Sequence, residues 1–419
     1  MFATCGLQLV HFFMPKTTPF HPRTEALNHP MIWENWAGYL VAPRYQHSDL
    51  SEYYSVRNSA GLLDTSPLFK YKFSGPDAEA YLMHTLARDI RKCKPGRAQY
   101  TIWCDEAGYV VEDGVIMHTS VGEYWLTSAE PNLRYFRQIA RKKGFNVEIE
   151  DISADYGILA LQGPRSLTIL KELTSDLNGL GFFRLAHTKI AGHDVVISRT
   201  GYTGDLGYEL WVPTDSGVPV WDALMSAGEG HNITPMGLHA LKMARVEAGL
   251  LLIDVDFYTA RYAWTDAQRD TPHELGWGWM FKNLSKDDRD FIGRAAIEKE
   301  VAENSSRWNT VGLVIDWYDY QAKHREAGIH PPMDGVFNEG TMNIYRISDT
   351  PWEYGGYATC MMYSSLLRSH IAIAKLPLDL CEPGTEVDLE ISIIRRSVNV
   401  KAKVVALPFF NPERKTSSE

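Results

Sequence analysis

The chain of 419 residues is poor in cysteine, with five, at Cys5, Cys93, Cys104, Cys360 and Cys381. Their number is odd and no two form a C-x-x-C pair. That argues against a disulfide framework and a cysteine zinc site, and it points to a reducing, cytoplasmic compartment. No apolar run approaches the roughly 18 residues that span a bilayer, so no membrane-spanning helix is expected. Positive charge is not in excess: 42 Lys and Arg stand against 52 Asp and Glu, a net charge of −10. This disfavours nucleic acid as a partner and leaves no polybasic membrane signal. The apolar start lacks a basic segment and a small-residue cleavage site, so residues 1–14 read as a tail and not a secretory signal. The 14 histidines are scattered, with no H-E-x-x-H, and no metal site is expected. Neither a G-x-S-x-G elbow nor a phosphate loop is present. No fixed-period repeat occurs.

What is present is an ordinary globular balance, 45% hydrophobic and 22% charged, long enough for two or three domains. Aromatic residues reach 12%, with 12 Trp and 21 Tyr, which suits flat, ring-lined pockets. Short strand patterns alternate with amphipathic helices, so the fold class is α+β. Residues 96–103 and 110–118 read as a strand pair around the turn at 105–108. Strands are also expected near 157–161, 195–199 and 208–212, with helices at 132–143, 218–227 and 236–248. Residues 261–310 are polar and rich in tryptophan and look like a crossover. From Trp308 onward short strands separated by turns form a small all-β domain. Asn411–Glu419 reads as a disordered tail.

Three stretches carry chemistry. In Val110-Val111-Glu112-Asp113-Gly114-Val115-Ile116 two carboxylates interrupt an apolar strand. Successive side chains point to opposite faces, so one of the two is directed inward unless the strand is bulged or at an edge, with both in water. An inward carboxylate must be paired or used. The second stretch is Arg199-Thr200-Gly201-Tyr202-Thr203-Gly204-Asp205-Leu206-Gly207-Tyr208-Glu209. Its three glycines allow positive φ and close approach of a ligand to the backbone. A carboxylate at Glu209 can accept two parallel hydrogen bonds from an amino-pyrimidinone edge; the alternative is a decorated hairpin. The third is Arg245, on or beside the apolar stripe of its helix. It either faces a buried carboxylate or makes an ordinary surface ion pair.

In order along the chain, Val56-Arg57-Asn58-Ser59-Ala60-Gly61-Leu62-Leu63-Asp64, Ser74-Gly75-Pro76-Asp77-Ala78, Gln99-Tyr100-Thr101, Ala160-Leu161-Gln162-Gly163-Pro164, Arg199 to Glu209, Arg245-Val246-Glu247-Ala248-Gly249-Leu250 and Phe291-Ile292-Gly293-Arg294 resemble the motifs of one family. It is that of the glycine cleavage system T protein (aminomethyltransferase), with the folate-dependent demethylases and the folate domains of sarcosine and dimethylglycine oxidoreductases. Residues 15–410 are covered. The resemblance implies a three-domain cloverleaf that binds tetrahydrofolate in its central opening. Residues 15–65 and 155–260 would form the folate-binding domain, 66–154 a second α+β domain and 311–410 a C-terminal β-barrel. It also implies that Asp113 is the catalytic aspartate and that Glu209 holds the pterin. Tyr100, Arg199, Tyr208 and Arg245 complete the implied cofactor-binding set.

The implied activity is transfer of a methyl or methylene group to tetrahydrofolate from a small amine, onium or methyl ether. Departures at Gly108-Tyr109, Glu112-Asp113 and Leu126-Thr127-Ser128-Ala129 leave the donor open. Two alternatives stand beside this reading. One is a folate-binding partner subunit of a flavoprotein; the other is a non-catalytic folate-binding regulator.

Overall fold

Two sheets with opposed apolar faces and one barrel organise the chain in the computed structural model, which describes residues 15–177, 179–333, 337–350 and 352–417. The expected tail at 1–14 lies outside the described residues. After helix α1 (His21–Leu27) and a hairpin of β1 (Glu34–Trp36) and β2 (Tyr39–Val41), helix α2 (Asp49–Asn58) leads into β3 (Ala60–Asp64). The chain then leaves to build a second sheet from β4 (Phe69–Ser74), α3 (Ala78–Thr85), β5 (Arg97–Cys104), β6 (Val110–Ser120), β7 (Glu123–Ser128), α4 (Leu133–Lys143) and β8 (Glu148–Asp151). It returns with β9 (Tyr156–Gln162), α5 (Ser166–Leu173), β10 (Leu185–Ile190), β11 (His193–Ser198), β12 (Gly207–Pro213), α6 (Gly217–Gly228), β13 (Ile233–Pro235) and α7 (Leu238–Glu247). The first sheet therefore has the order β10-β11-β12-β9-β3-β13, and the second β5-β6-β7-β4-β8.

Beyond α8 (Arg294–Glu303) come β14 (Asn309–Ile315), α9 (Trp317–Glu326), β15 (Phe337–Arg346), β16 (Tyr354–Ser364), β17 (Ser369–Leu376), β18 (Glu386–Ile393) and β19 (Arg396–Val405). These six strands close on themselves in the order β14-β17-β16-β15-β18-β19, which bears out the expected small barrel. Closure removes the exposed edges that an open sheet of short strands would present. Among the described residues no helix is long and apolar enough to cross a membrane.

Local chemistry accounts for several boundaries. Helix α4 ends at Gly144, in the left-handed region at φ 77°, with Arg141, Lys142 and Lys143 in its last turn beside the carbonyl end of the dipole. Helix α9 was not expected. Its Asp316 cap accepts from the Asp319 backbone N–H at 2.8 Å, and Lys323, His324 and Arg325 close it. Its four-residue apolar periodicity is masked by tyrosine and charge. Strand β10 was missed because it is an edge strand with a polar, half-exposed sequence, and β13 because its three residues pair in parallel only with β3.

One buried charge network joins four parts of this architecture. Arg57 of α2 donates through Nε and Nη2 to Glu247 of α7 at 2.9 and 2.7 Å, and through Nη1 to the Thr203 carbonyl at 2.9 Å. It stands 3.5 Å from Asp205. Glu247 also accepts from Tyr53 at 2.5 Å and from Ser364 of barrel strand β16. Asp205 takes two bonds from Arg414, at 2.6 and 2.7 Å. The chain end up to Ser417 is therefore not a disordered tail. Phe410 stacks on the Arg57 guanidinium at 4.6 Å, and its N–H bonds the Glu247 carbonyl. Arg57→Leu should cost about 3–5 kcal/mol in urea unfolding, because it strands the buried Glu247 carboxylate without a cation. A loss within the range of a surface pair, about 0–1 kcal/mol, would contradict this account of the network.

Candidate functional site

The acidic pair of β6 resolves into two different roles. Glu112 and Asp113 point to opposite faces of the strand, and both lie inside the protein. Glu112 is fully buried and accepts from the backbone N–H groups of Ala129 and Glu130, at 2.5 and 2.9 Å, and from the Asn132 side-chain amide. It thereby shapes the loop that leaves β7. Of the two carboxylates Glu112 is the fully buried one, held by the donors of that loop, and Asp113 is half-buried. Asp113 faces the other way. In the β5–β6 register it is paired with Ile102, two positions from the Tyr100–Val115 pair and four from Ala98–Met117. The Tyr100 hydroxyl donates to Asp113 Oδ2 at 2.9 Å. Gly114 allows this geometry, since a Cβ there would lie 2.1 Å from the Thr127 carbonyl oxygen of β7.

Glu209 is carried by β12. It is paired with Ser198 of β11 and Ala160 of β9, two positions from Trp211, which pairs with Val196 and Ile158. The Thr200 hydroxyl donates to Glu209 Oε2 and also contacts Ser198 Oγ at 2.6 Å. The other carboxylate oxygen has no protein partner among the described residues. The glycines of the turn serve Gln162. A Cβ at Gly201 or Gly207 would come within 2.0 or 2.1 Å of the Gln162 side-chain oxygen. That side chain is buried; its amide donates to the carbonyls of Thr200 and Tyr208, and its oxygen accepts from Thr203 at 3.0 Å. The two motifs thus interlock, and the close approach they permit is to another chain segment.

The registers put Asp113 and Glu209 on the faces of two sheets that pack on each other. Ala98, Met117 and Trp125 of the second sheet pack against Ile158, Val196 and Trp211 of the first, with Trp125 and Trp211 centroids 5.4 Å apart. Continuing along the strands from this plug, the same faces carry Tyr100 and Asp113 on one side and Glu209 and Ala160 on the other. Tyr202, Phe257 and Trp277 line the adjoining core, with Trp277 edge-on to Tyr100 at 6.0 Å. A surface groove of about 700 Å³ lies at the outer end of the plug, lined by residues including Tyr156, Asp176, His187 and Trp211, and it contains neither carboxylate.

Tyr208, Arg199 and Arg245, the other members of the cofactor-binding set that the resemblance implies, each have protein surroundings of their own. Tyr208 is on the opposite face of β12 from Glu209, fully buried in the core with Leu161 and Leu210, because alternation along a strand sends neighbours to opposite sides. Arg199 donates to the carbonyl of Leu180 at 3.0 Å and to those of Arg414, Lys415 and Ser417, so it clamps the chain end. Arg245 is fully buried and pairs with Asp256, which also accepts from Leu252 N–H at 2.8 Å and from Thr359 of β16. It faces a carboxylate, as one of its two alternatives held, and fastens the barrel to α7. Sequence inspection missed Arg57, Asp205, Glu247 and Gln162. For Glu247 and Gln162 the signal was a charged or amide group among apolar helix or strand residues; Arg57 ends a polar helix and Asp205 lies in the glycine-rich turn.

Burial pushes the Asp113 carboxyl up to about 6, countered in part by the Tyr100 phenol. It also raises Glu209, opposed by Thr200. The Tyr100 phenol is held well above its ordinary value by burial and by the Asp113 charge, so it stays a donor. The pair therefore combines a carboxyl that titrates near neutrality with a buried acceptor that has a free oxygen.

Residues 20–283 match the GCVT N-terminal domain family. The chain is 31% identical over 402 residues to an aminomethyltransferase of Saccharopolyspora erythraea, covering 94% of this chain and 98% of the relative. It is 31% identical over 388 residues to a heme-dependent oxidative N-demethylase gamma subunit of Ectopseudomonas mendocina, covering 91% and 93%. The fold matches the crystal structure of glycine cleavage system aminomethyltransferase T from Bartonella henselae with a TM-score of 0.78 and 22% identity, covering 95% of this chain and 99% of that one. Two sheets and a barrel in this arrangement define the aminomethyltransferase fold. The chain belongs to the GCVT family and is an enzyme of the aminomethyltransferase type.

The raised Asp113 carboxyl makes a stability prediction. The folded state holds this proton more tightly than the unfolded chain, whose aspartates titrate near 3.9. Stability from this position therefore falls as pH rises from about 4 through 6 and stays reduced above that. Asp113→Asn should be more stable than the parent at pH 7.5 by roughly 1–3 kcal/mol in urea titrations, with the difference vanishing near pH 4. A variant no more stable than the parent at pH 7.5 would contradict the burial of an ionised carboxylate.

Proposed function

We propose that the protein is a tetrahydrofolate-dependent one-carbon transferase, moving a methyl or methylene group from a small amine, onium or methyl ether. The observation that supports this reading is that Asp113, held by the Tyr100 hydroxyl, and Glu209, held by the Thr200 hydroxyl, stand on the faces of two sheets that pack on each other through Trp125 and Trp211. The donor set fits a reduced pterin. Glu209 has one oxygen fixed by Thr200 and one left to accept, and a carboxylate so placed takes the paired N–H groups of an amino-pyrimidinone edge. Tyr100, Tyr202 and Trp277 supply flat apolar surface for its ring.

Tetrahydrofolate would supply the nucleophilic nitrogen that receives the carbon. Glu209 fixes the ring and its orientation. Asp113, held by Tyr100, orients the reacting group, either holding a proton at its carboxyl or accepting one. A carboxyl near 6 is largely ionised at neutral pH yet close enough to exchange a proton at low cost. An ionised Asp113 also favours a cationic donor.

A second reading is favoured by the similarity over 93% of a gamma subunit. Here the chain is the folate-binding subunit that takes up formaldehyde or an imine released by a separate redox protein, a flavoprotein among the candidates. Copurification with such a partner supports it, and turnover by the isolated chain opposes it.

Glu209→Ala should weaken calorimetric binding of tetrahydrofolate about 10- to 100-fold, the value of charge-assisted hydrogen bonds. Asp113→Asn should leave that binding nearly intact and abolish turnover, and the parent's kcat/KM should fall as pH drops through about 6. Absence of saturable binding to the parent would contradict the folate reading, and full activity in Asp113→Asn would contradict the role of that residue.

A further inference from the structure

Among the described residues Arg88 has no carboxylate within ion-pair distance. It follows α3, and the Ala87 N–H bonds the Ile102 carbonyl at 2.9 Å, which fixes this segment along the free edge of β5. One guanidinium nitrogen donates to the Tyr100 carbonyl at 2.8 Å. The guanidinium lies 5.0 Å from the ring of Trp279, whose indole is 44% exposed. No carboxylate among the described residues pairs with it. Its neighbour Asp89 is engaged by Arg91 through both oxygens. Arg91 in turn has Asp288, and nearby Arg289 has Asp287. Half-buried arginines ordinarily face an anion, and burial alone holds this guanidinium below its usual value.

The position connects Arg88 to the site. Tyr100 is the common element: its hydroxyl holds Asp113 and its carbonyl holds Arg88. The two charged groups are thus separated by about one tyrosine residue, with Trp277 and Trp279 beside it. We propose that Arg88 and Trp279 form an anion subsite at the rim of the Asp113 space, which receives a carboxylate of a bound ligand. The carboxylate belongs either to the glutamyl end of the folate or to a zwitterionic one-carbon donor whose cationic head lies toward Asp113. The first source rests on the folate reading above; the subsite itself does not.

The test compares affinities of the full-length parent and Arg88→Gln by calorimetry for two pairs of probes. One pair is tetrahydrofolate and tetrahydropteroate, which lacks the glutamyl carboxylates; the other is glycine betaine and choline. The parent should prefer the carboxylate member of at least one pair, and Arg88→Gln should reduce that preference about tenfold or more while leaving the carboxylate-free member unchanged. Arg88→Lys should keep part of the preference, and it serves as the second variant if Arg88→Gln melts early. Loss in the first pair assigns the anion to the folate; loss in the second assigns it to the donor. A parent with no preference in either pair, or a preference that survives both substitutions, overturns the subsite. Failure of the folate reading is distinct: the parent then binds neither pterin, and the betaine–choline pair still decides the role of Arg88.

Discussion

The buried contact of Arg57 with Glu247 and Asp205 is the constraint on which the other parts depend. Arg57 stands at the end of α2, Asp205 in the glycine-rich turn and Glu247 at the end of α7, while Ser364 and Arg414 bring in the barrel and the chain end. Removing charges from water is costly, and only a fully satisfied set repays it. Each partner here is held by at least one further hydrogen bond, so the turn that precedes Glu209 is fixed from three directions. The second pair, Arg245 with Asp256 and Thr359, repeats the principle between α7 and the barrel. Several strongly charged residues of the shared motifs are in this sense architectural. They hold the sheets and the barrel against one another.

Asp113 and Glu209 differ from these residues in one physical respect. The network carboxylates are paired with cations. Among the described residues Asp113 is held by a phenol and a backbone N–H and Glu209 by a hydroxyl, all neutral donors, and burial raises both. A carboxylate left with neutral donors in a low-dielectric space is destabilised until a ligand supplies hydrogen bonds or charge. Arg88 has the complementary deficit.

Much of this was legible in the sequence, for reasons that differ by residue. The barrel was visible because its strands alternate between turns; Asp113 and Glu209 were singled out by the resemblance of their motifs, since alternation along the strand alone left Glu112 and Asp113 undecided. Tyr208 was misplaced because adjacency in a strand is separation in space. Arg199 and the end of the chain were misjudged together: a short polar tail looks free until the arginine that caps its carbonyls and the aspartate that binds Arg414 are brought near it from more than 200 positions away. Gln162 lay in a shared motif, but only the interlock with Gly201 and Gly207 shows why a side chain of that length is needed there.

The most direct test of the central claim is a crystal structure of the protein with tetrahydrofolate bound. The account predicts the pterin between β6 and β12, with its N–H edge on the free oxygen of Glu209 and its reactive nitrogen on the Asp113 side. A pterin bound elsewhere, such as in the groove beside Trp211, or one within this space that leaves Glu209 without a contact, would contradict it.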